Sequence, residues 1–192
     1  MKSLPMLLGA IALLFVTSCS KDEEDPGFGE NLLVNPGAET GDLSGWTINK
    51  NGGDGWAIDK SVNSYSGDYE FATSYLECKR SQTIDLIAAG YTATQLDAAP
   101  DVKVSEWFKQ IFDADEYFMK VELLDADKNV IDSWDMSGTT TDKDVWFNLS
   151  YTFTKYGTGL RYIYFEDGGK DTEYWKNHYG VRMDDAEVRI RK

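Results

Sequence analysis

The sequence predicts an all-β protein, an antiparallel jelly-roll sandwich of two packed sheets. Three observations carry this expectation. Short runs rich in Val, Ile, Tyr, Phe, Trp and Thr recur along the chain, with Gly, Asn and Asp between them. Several runs alternate apolar and polar residues with period two, so each offers one face to a core. No helical stripe of normal length and no repeat at propeller or solenoid period is visible. Many strands joined by Gly/Asp turns mean a sandwich or barrel, and a two-sheet jelly roll satisfies that pattern best.

The elements follow in chain order. "AAGYTATQLDAA" (88–99) is the one helix candidate, a short turn in a crossover. "EYFMKVELL" places Tyr117, Met119, Val121 and Leu123 on one face. "DADKN", Asp125 to Asn129, is a turn between two such runs and makes a hairpin. In "WFNLSYTFTKY", Phe147, Leu149, Tyr151 and Phe153 oppose Asn148, Ser150 and Thr152. "VRMDDAEVRI" sets Ala186, Val188 and Ile190 against Asp185, Glu187 and Arg189. Trp46, Trp56, Trp107, Trp134 and Trp146 lie in or beside such runs and read as structural.

Ahead of this domain the chain changes character. Lys2 precedes an apolar run from Leu7 to Val16, too short to span a bilayer comfortably, and "VTSCS" follows. The small residues before Cys19 resemble the lipobox of bacterial lipoproteins. That resemblance implies a signal peptide over 1–18 and a lipidated Cys19. "SKDEEDPGFG" has no apolar period and reads as a solvated tether over 19–30. An acidic run directly after such a cysteine also resembles the surface-export signal of Bacteroidetes lipoproteins. The expected location is therefore the outer membrane, held by the lipid alone and facing outward. Residues 31–192 form one domain, long enough for a single core.

Composition excludes several functions. The 192-residue chain carries a net charge of -14, which argues against nucleic acid and anionic lipid surfaces as partners. With Cys19 lipidated, only Cys78 remains, a small buried hydrophobe with no disulfide to make. There is no phosphate loop, no G-x-S-x-G and no H-E-x-x-H, and His178 is the single histidine. With 33 Asp and Glu, some pair of carboxylates will be close by chance, so carboxylates alone do not indicate a glycosidase. No cofactor is implied. Structural calcium occurs in many jelly-roll modules, so composition leaves an oxygen-ligated site open although no EF-hand loop is present.

The positive signal is aromatic. In "EDGGKDTEYWKNHYGVR" (166–182), Trp175 sits among Tyr174, Lys176, Asn177, His178 and Tyr179, without alternation and between glycines. Leaving one large apolar side chain wet forfeits about 1.5–3 kcal/mol. Such a segment either plugs the end of the sandwich or presents its rings to a ligand. A pyranose has an apolar C–H face for an indole or phenol and a hydroxyl rim for Asp, Asn and Lys. Peptide or another protein would also be gripped.

A longer pattern narrows this. "NLLVNPGAETGDLSGWTI", "NGGDGWAI", "FATSYLECKRSQTIDL", "VKVSEWF" and "YTFTKYGTGLRYIYFEDGGKDTEYWKNHYGVR" occur in this order from Asn31 to Arg182. Together they resemble the F-box-associated domain of the sugar-recognising F-box proteins, a galactose-binding-like jelly roll. The resemblance implies ten antiparallel strands and non-catalytic recognition, by loops at one end, of the chitobiose core of high-mannose N-glycans. By position, the family's glycan contacts fall on Tyr75, Asp113, Tyr174, Trp175 and Lys176. Tyr75 stands for a phenylalanine, and Asn177 and His178 stand where the family tends to have Gly and Trp. The expected partners are glycans or glycoproteins. A lipoprotein-like signal stands in place of the F-box, so no Skp1-type ubiquitin-ligase partner is expected. The alternatives are a protein-interaction or structural module on the same fold and, behind it, a glycan-cleaving enzyme using Asp113 or another carboxylate.

Overall fold

A computed structural model describes residues 27–192. The expected signal peptide, Cys19 and most of the expected tether lie outside the described residues. Among the described residues there are ten strands: β1 Thr47–Asn51, β2 Ala57–Lys60, β3 Tyr69–Ala72, β4 Cys78–Asp85, β5 Val102–Lys109, β6 Asp115–Leu124, β7 Val130–Thr139, β8 Phe147–Phe153, β9 Tyr162–Asp171 and β10 Arg182–Ile190. One short helix, α1 Ala93–Asp97, sits in the β4–β5 crossover. Thr92 and Gln95 close it with a reciprocal capping box.

The strands form two five-stranded sheets, ordered β1-β4-β9-β6-β7 and β2-β3-β10-β5-β8, with every pairing between strands antiparallel. This is the expected jelly-roll sandwich. The alternation expected of β6 holds: Met119, Val121 and Leu123 are fully buried in the inter-sheet core. The β6–β7 hairpin closes through Asp125–Asn129, where the Asp125 N–H donates to the Asn129 carbonyl at 3.0 Å and Lys128 takes a positive φ of 64°.

The alternation expected of Ala186, Val188 and Ile190 against Asp185, Glu187 and Arg189 is found, and it begins at a bulge, where the register slips by one residue between Asp184 and Glu187 against β5. This bulge, with Asp185 at φ 49°, lets Met183 and Ala186 both face the core although they stand three positions apart. The aromatic segment is less of a loop than its composition implies. Glu166 to Asp171 belong to β9, so the connection is residues 172–181. At the start of the domain, Phe28 is buried and bridges to Arg191, and the Gly29 N–H donates to the Ile190 carbonyl at 2.8 Å. Phe28 and Gly29 of the expected tether therefore lie against the sandwich.

A buried ion triad ties the sheets together. Arg80 on β4 donates through Nε to Asp167 on β9 at 2.8 Å and through Nη2 to Glu106 on β5 at 3.1 Å, all three without solvent exposure. Its guanidinium lies 3.5 Å from the Phe71 ring centroid and 3.8 Å from that of Trp46. Burial first, and the neighbouring Asp167 charge second, push the Glu106 carboxyl well above the usual carboxylate range. That shift favours the neutral form of Glu106 beside the Arg80–Asp167 pair. The free Cys78 is buried, as expected for an inert thiol.

Candidate functional site

At one end of the sandwich three connections meet: β3–β4 (residues 73–77), β5–β6 (residues 110–114) and β9–β10 (residues 172–181). The β9–β10 connection is fastened at its base. Asp171, the last residue of β9, accepts from the Glu173 N–H at 2.9 Å with Oδ1 and from the Trp175 N–H at 2.6 Å with Oδ2. Ser74 Oγ donates to the Asn177 carbonyl at 2.8 Å and accepts from the Asp54 N–H at 3.0 Å. Asp54 in turn accepts from the Asn177 N–H at 2.9 Å. A segment of this polarity, crossing the surface without strand partners, needs such side-chain acceptors for its backbone N–H groups.

These bonds dictate where the rings go. Tyr174 and Asn177 take positive φ values of 61° and 89°. Asn tolerates this region better than most residues with a side chain. Held this way, Tyr174 is 59% exposed and Trp175 is 49% exposed. Trp175 meets Tyr179 edge-on, with centroids 6.0 Å apart and planes at 87°. Phe112 completes the group at 6.3 Å from Trp175 and 5.3 Å from Tyr179, and is itself 45% exposed. The rings steady one another by their edges, and none is stacked on another.

Of the five expected contact residues, Tyr174, Trp175 and Lys176 lie together on this connection, all exposed. Asp113 is exposed on the β5–β6 connection and directly follows Phe112. Tyr75 is half-buried on the β3–β4 connection and directly follows Ser74, which binds the Asn177 carbonyl. Gly53 makes room for it: a Cβ there would lie 2.9 Å from the Tyr75 ring, and the φ of 64° suits glycine. The structure thus gathers all five on the three connections that meet at this end. Lys170 adds a cation 5.7 Å from the Tyr174 ring centroid, and Lys143 another 5.2 Å from that of Phe112.

Beneath the connections lies a buried acid. Asp115, the first residue of β6, pairs in register with Asp171, and neither of its carboxylate oxygens has a hydrogen-bond partner. Burial, followed by the charge of Asp171, raises it to about 8. Its neutral form is favoured at and below neutral pH, which removes one negative charge from beside Asp171.

Sequence reasoning missed Phe112 and Tyr179 as ring partners, and Asp171, Ser74 and Asp54 as positioning residues. Phe112 could have been noticed as an aromatic beside Asp113 in a run rich in turn residues. The positioning residues are ordinary polar types whose role depends on which connections converge. Among the described residues, no group of three or more His, Cys, Asp or Glu is placed to hold a metal ion.

The profile of the F-box associated region matches residues 24–190. F-box only protein 6 of Homo sapiens is 38% identical over 170 residues, which cover 82% of this chain and 58% of that protein. F-box only protein 2 of Bos taurus is 36% identical over 177 residues, covering 82% and 58%. The chain thus spans somewhat over half the length of these curated relatives. Among solved structures, TmCBM61 in complex with beta-1,4-galactotriose has a TM-score of 0.57 at 20% identity, covering 85% of this chain and all of that one. The C-terminal family 22 carbohydrate binding module of Clostridium thermocellum Xyn10B has a TM-score of 0.52 at 9% identity, covering 85% and 97%. At these identities the likeness is one of fold.

Proposed function

The chain belongs to the F-box associated family, and from that premise we propose that its domain is a non-catalytic glycan-binding module. The ligand in this reading is a GlcNAc-containing glycan, with the chitobiose core of high-mannose N-glycans as the reference case. The observation that carries it is the half-exposed Trp175 beside the exposed Tyr174, on a backbone pinned by Asp171, Ser74 and Asp54. Rings left uncovered on a rigid support are prepared for an apolar sugar face at small entropic cost. The perpendicular corner between Trp175 and Tyr179 suits an N-acetyl methyl group. Asp113 supplies acceptors and Lys176 supplies donors for the hydroxyl rim, and Tyr75 closes the side formed by the β3–β4 connection. The family likeness to sugar-recognising members supports the reading, as does a carbohydrate module of the same fold that holds a trisaccharide.

Residues 1–18 act, in this proposal, as a lipoprotein signal. Cys19 carries the lipid, the following acidic stretch gives reach, and the binding domain stands on the outer surface of a bacterial outer membrane. One shallow sugar site is weak, so retention of a glycoprotein would come from many copies on one surface.

Calorimetric titration of the protein with N,N′-diacetylchitobiose tests the site. Saturable binding in the high micromolar to millimolar range is expected, lost in Trp175→Ala. A protein partner that depends on Trp175 and ignores free sugar would replace glycan recognition by protein recognition. Labelling with a palmitate analogue, lost in Cys19→Ser, tests the anchor.

A further inference from the structure

A groove of about 740 Å³ runs along the outer face of the first sheet, between β7, β6, β9 and the start of β4. Its origin is in the strand register. Gly168 on β9 pairs with Phe118 on one side and with Lys79 on the other, so the middle of this outward row has no side chain. The Phe118 ring fills that vacancy: a Cβ on Gly168 would stand 2.7 Å from Phe118 Cε1. The result is a trough floored by the Phe118 ring, with the Lys79 ammonium 4.5 Å from the ring centroid and longer side chains on either side.

Those side chains are charged and nearly balanced, Lys79, Lys120 and Lys170 against Glu77, Glu116, Asp135 and Glu166. Lys79 pairs with Glu77 at 2.8 Å, Lys170 with Glu116 at 3.3 Å and Lys120 with Glu122 at 2.6 Å. No field of one sign crosses the trough, so it fits neither a polyanion nor a polycation. It presents alternating donors and acceptors, which is what a neutral polyhydroxyl chain needs, since each hydroxyl both donates and accepts. Exposed ion pairs are worth little in water, so hydroxyls can insert between them at small cost.

The trough adjoins the end site through Lys170. Lys170 lines it and also stands 5.7 Å from the Tyr174 ring centroid, and Glu77 is two residues on from Tyr75. From Lys170 the groove follows β9 to Glu166, about 13 Å at the rise of an extended strand. We infer that this groove receives the continuation of the glycan held at the end site: a neutral oligosaccharide whose first sugars cover Tyr174 and Trp175 and whose later sugars lie over Phe118, bonded to Lys79 and Lys120. The inference rests on the glycan reading of the end site and extends it from a disaccharide to a longer chain.

The test compares two probes on the full chain, N,N′-diacetylchitobiose and a free high-mannose oligosaccharide that ends in the same chitobiose. The wild type should bind the longer probe about tenfold more tightly, the worth of one charge-assisted hydrogen bond. The double variant Lys79→Ala/Lys120→Ala should bind chitobiose as the wild type does and lose the extra tenfold. Trp175→Ala should lose both probes. Equal affinity of the wild type for the two probes overturns the inference and leaves the end site standing. So does a double variant that keeps the full gain, or one that weakens both probes alike. If the wild type binds neither probe, the end-site reading falls and the groove with it. If it binds only the longer probe, and the double variant abolishes that binding, the groove stands and the end-site reading falls.

Discussion

The outer face of the second sheet and the loop end of the sandwich are both rich in aromatic residues, and they treat them in opposite ways. On the sheet face, residues 61–68 fold over the strands as a cover. Tyr65 stacks on Trp107 with centroids 3.9 Å apart and planes at 16°. The Trp146 indole N–H and the Lys109 ammonium both donate to the Asn63 carbonyl, at 2.9 and 3.0 Å. Asp184 accepts the Ser66 N–H, and Glu39 accepts the N–H groups of Asp68 and Tyr69. At the loop end the same economy of side-chain acceptors is applied to the backbone alone. Asp171, Ser74 and Asp54 hold the chain, while Trp175, Tyr174 and Phe112 remain without a stacked partner. Aromatic content by itself therefore says little. What distinguishes a binding face from a covered one is whether the chain supplies its own stacking partner and polar anchors.

The largest effect comes from breaking the frame that both regions share. Arg80→Ala leaves Asp167 buried and uncompensated between the sheets and should cost about 3–5 kcal/mol in denaturant unfolding. The next contrast separates the regions directly. Trp107→Ala removes the stacking partner of Tyr65 and should lower stability by about 2–4 kcal/mol, with chitobiose binding kept in the folded fraction. Trp175→Ala should change stability by no more than about 0.5 kcal/mol and abolish binding. Equal stability losses in the two variants would erase the distinction between a covered face and an open one.

A buried acid lies under each region, and each sharpens the comparison through pH. Burial raises Asp115 to about 8 and Asp184 to about 7. The neutral form is favoured in the folded protein, so the associated stability is fully present below the ordinary aspartate range near 4 and is lost as pH rises through these values. Asp115→Asn should flatten this fall between pH 4 and 8 and exceed the wild type at pH 8 by on the order of a few kcal/mol. Asp184→Asn should gain less, because Asp184 accepts the Ser66 and Asp185 N–H groups and the amide presents one acceptor oxygen in place of two. Stability curves from pH 4 to 9 separate the two cases. The smallest expected effect is that of Ser74→Ala, which frees the Asn177 carbonyl and should weaken chitobiose binding by about fivefold, the loss of roughly one neutral hydrogen bond.

How much of this was legible in the sequence follows from which facts are local. The alternation of Met119, Val121 and Leu123 and the turn at Asp125–Asn129 depend on neighbours along the chain, and both are found as expected. The β10 bulge was not legible, because it is defined only against the register of β5. At the site, the crowding of Tyr174 and Trp175 between glycines stood out in one segment. Phe112 and Tyr179 did not, since their partnership joins two connections some sixty residues apart in the chain. Tyr65 and Trp107 show the reverse difficulty. Nothing in the sequence distinguishes a loop tyrosine that seals a tryptophan from one that leaves it open.

The contrast between covered and open aromatics is tested most directly by following the tryptophan indole N–H signals by NMR during titration with N,N′-diacetylchitobiose. The Trp175 signal should move progressively and saturate, while those of Trp107 and Trp146 stay in place. A Trp175 signal that does not move at millimolar sugar, or shifts confined to Trp107 and Trp146, would contradict the assignment of the loop end as the binding face.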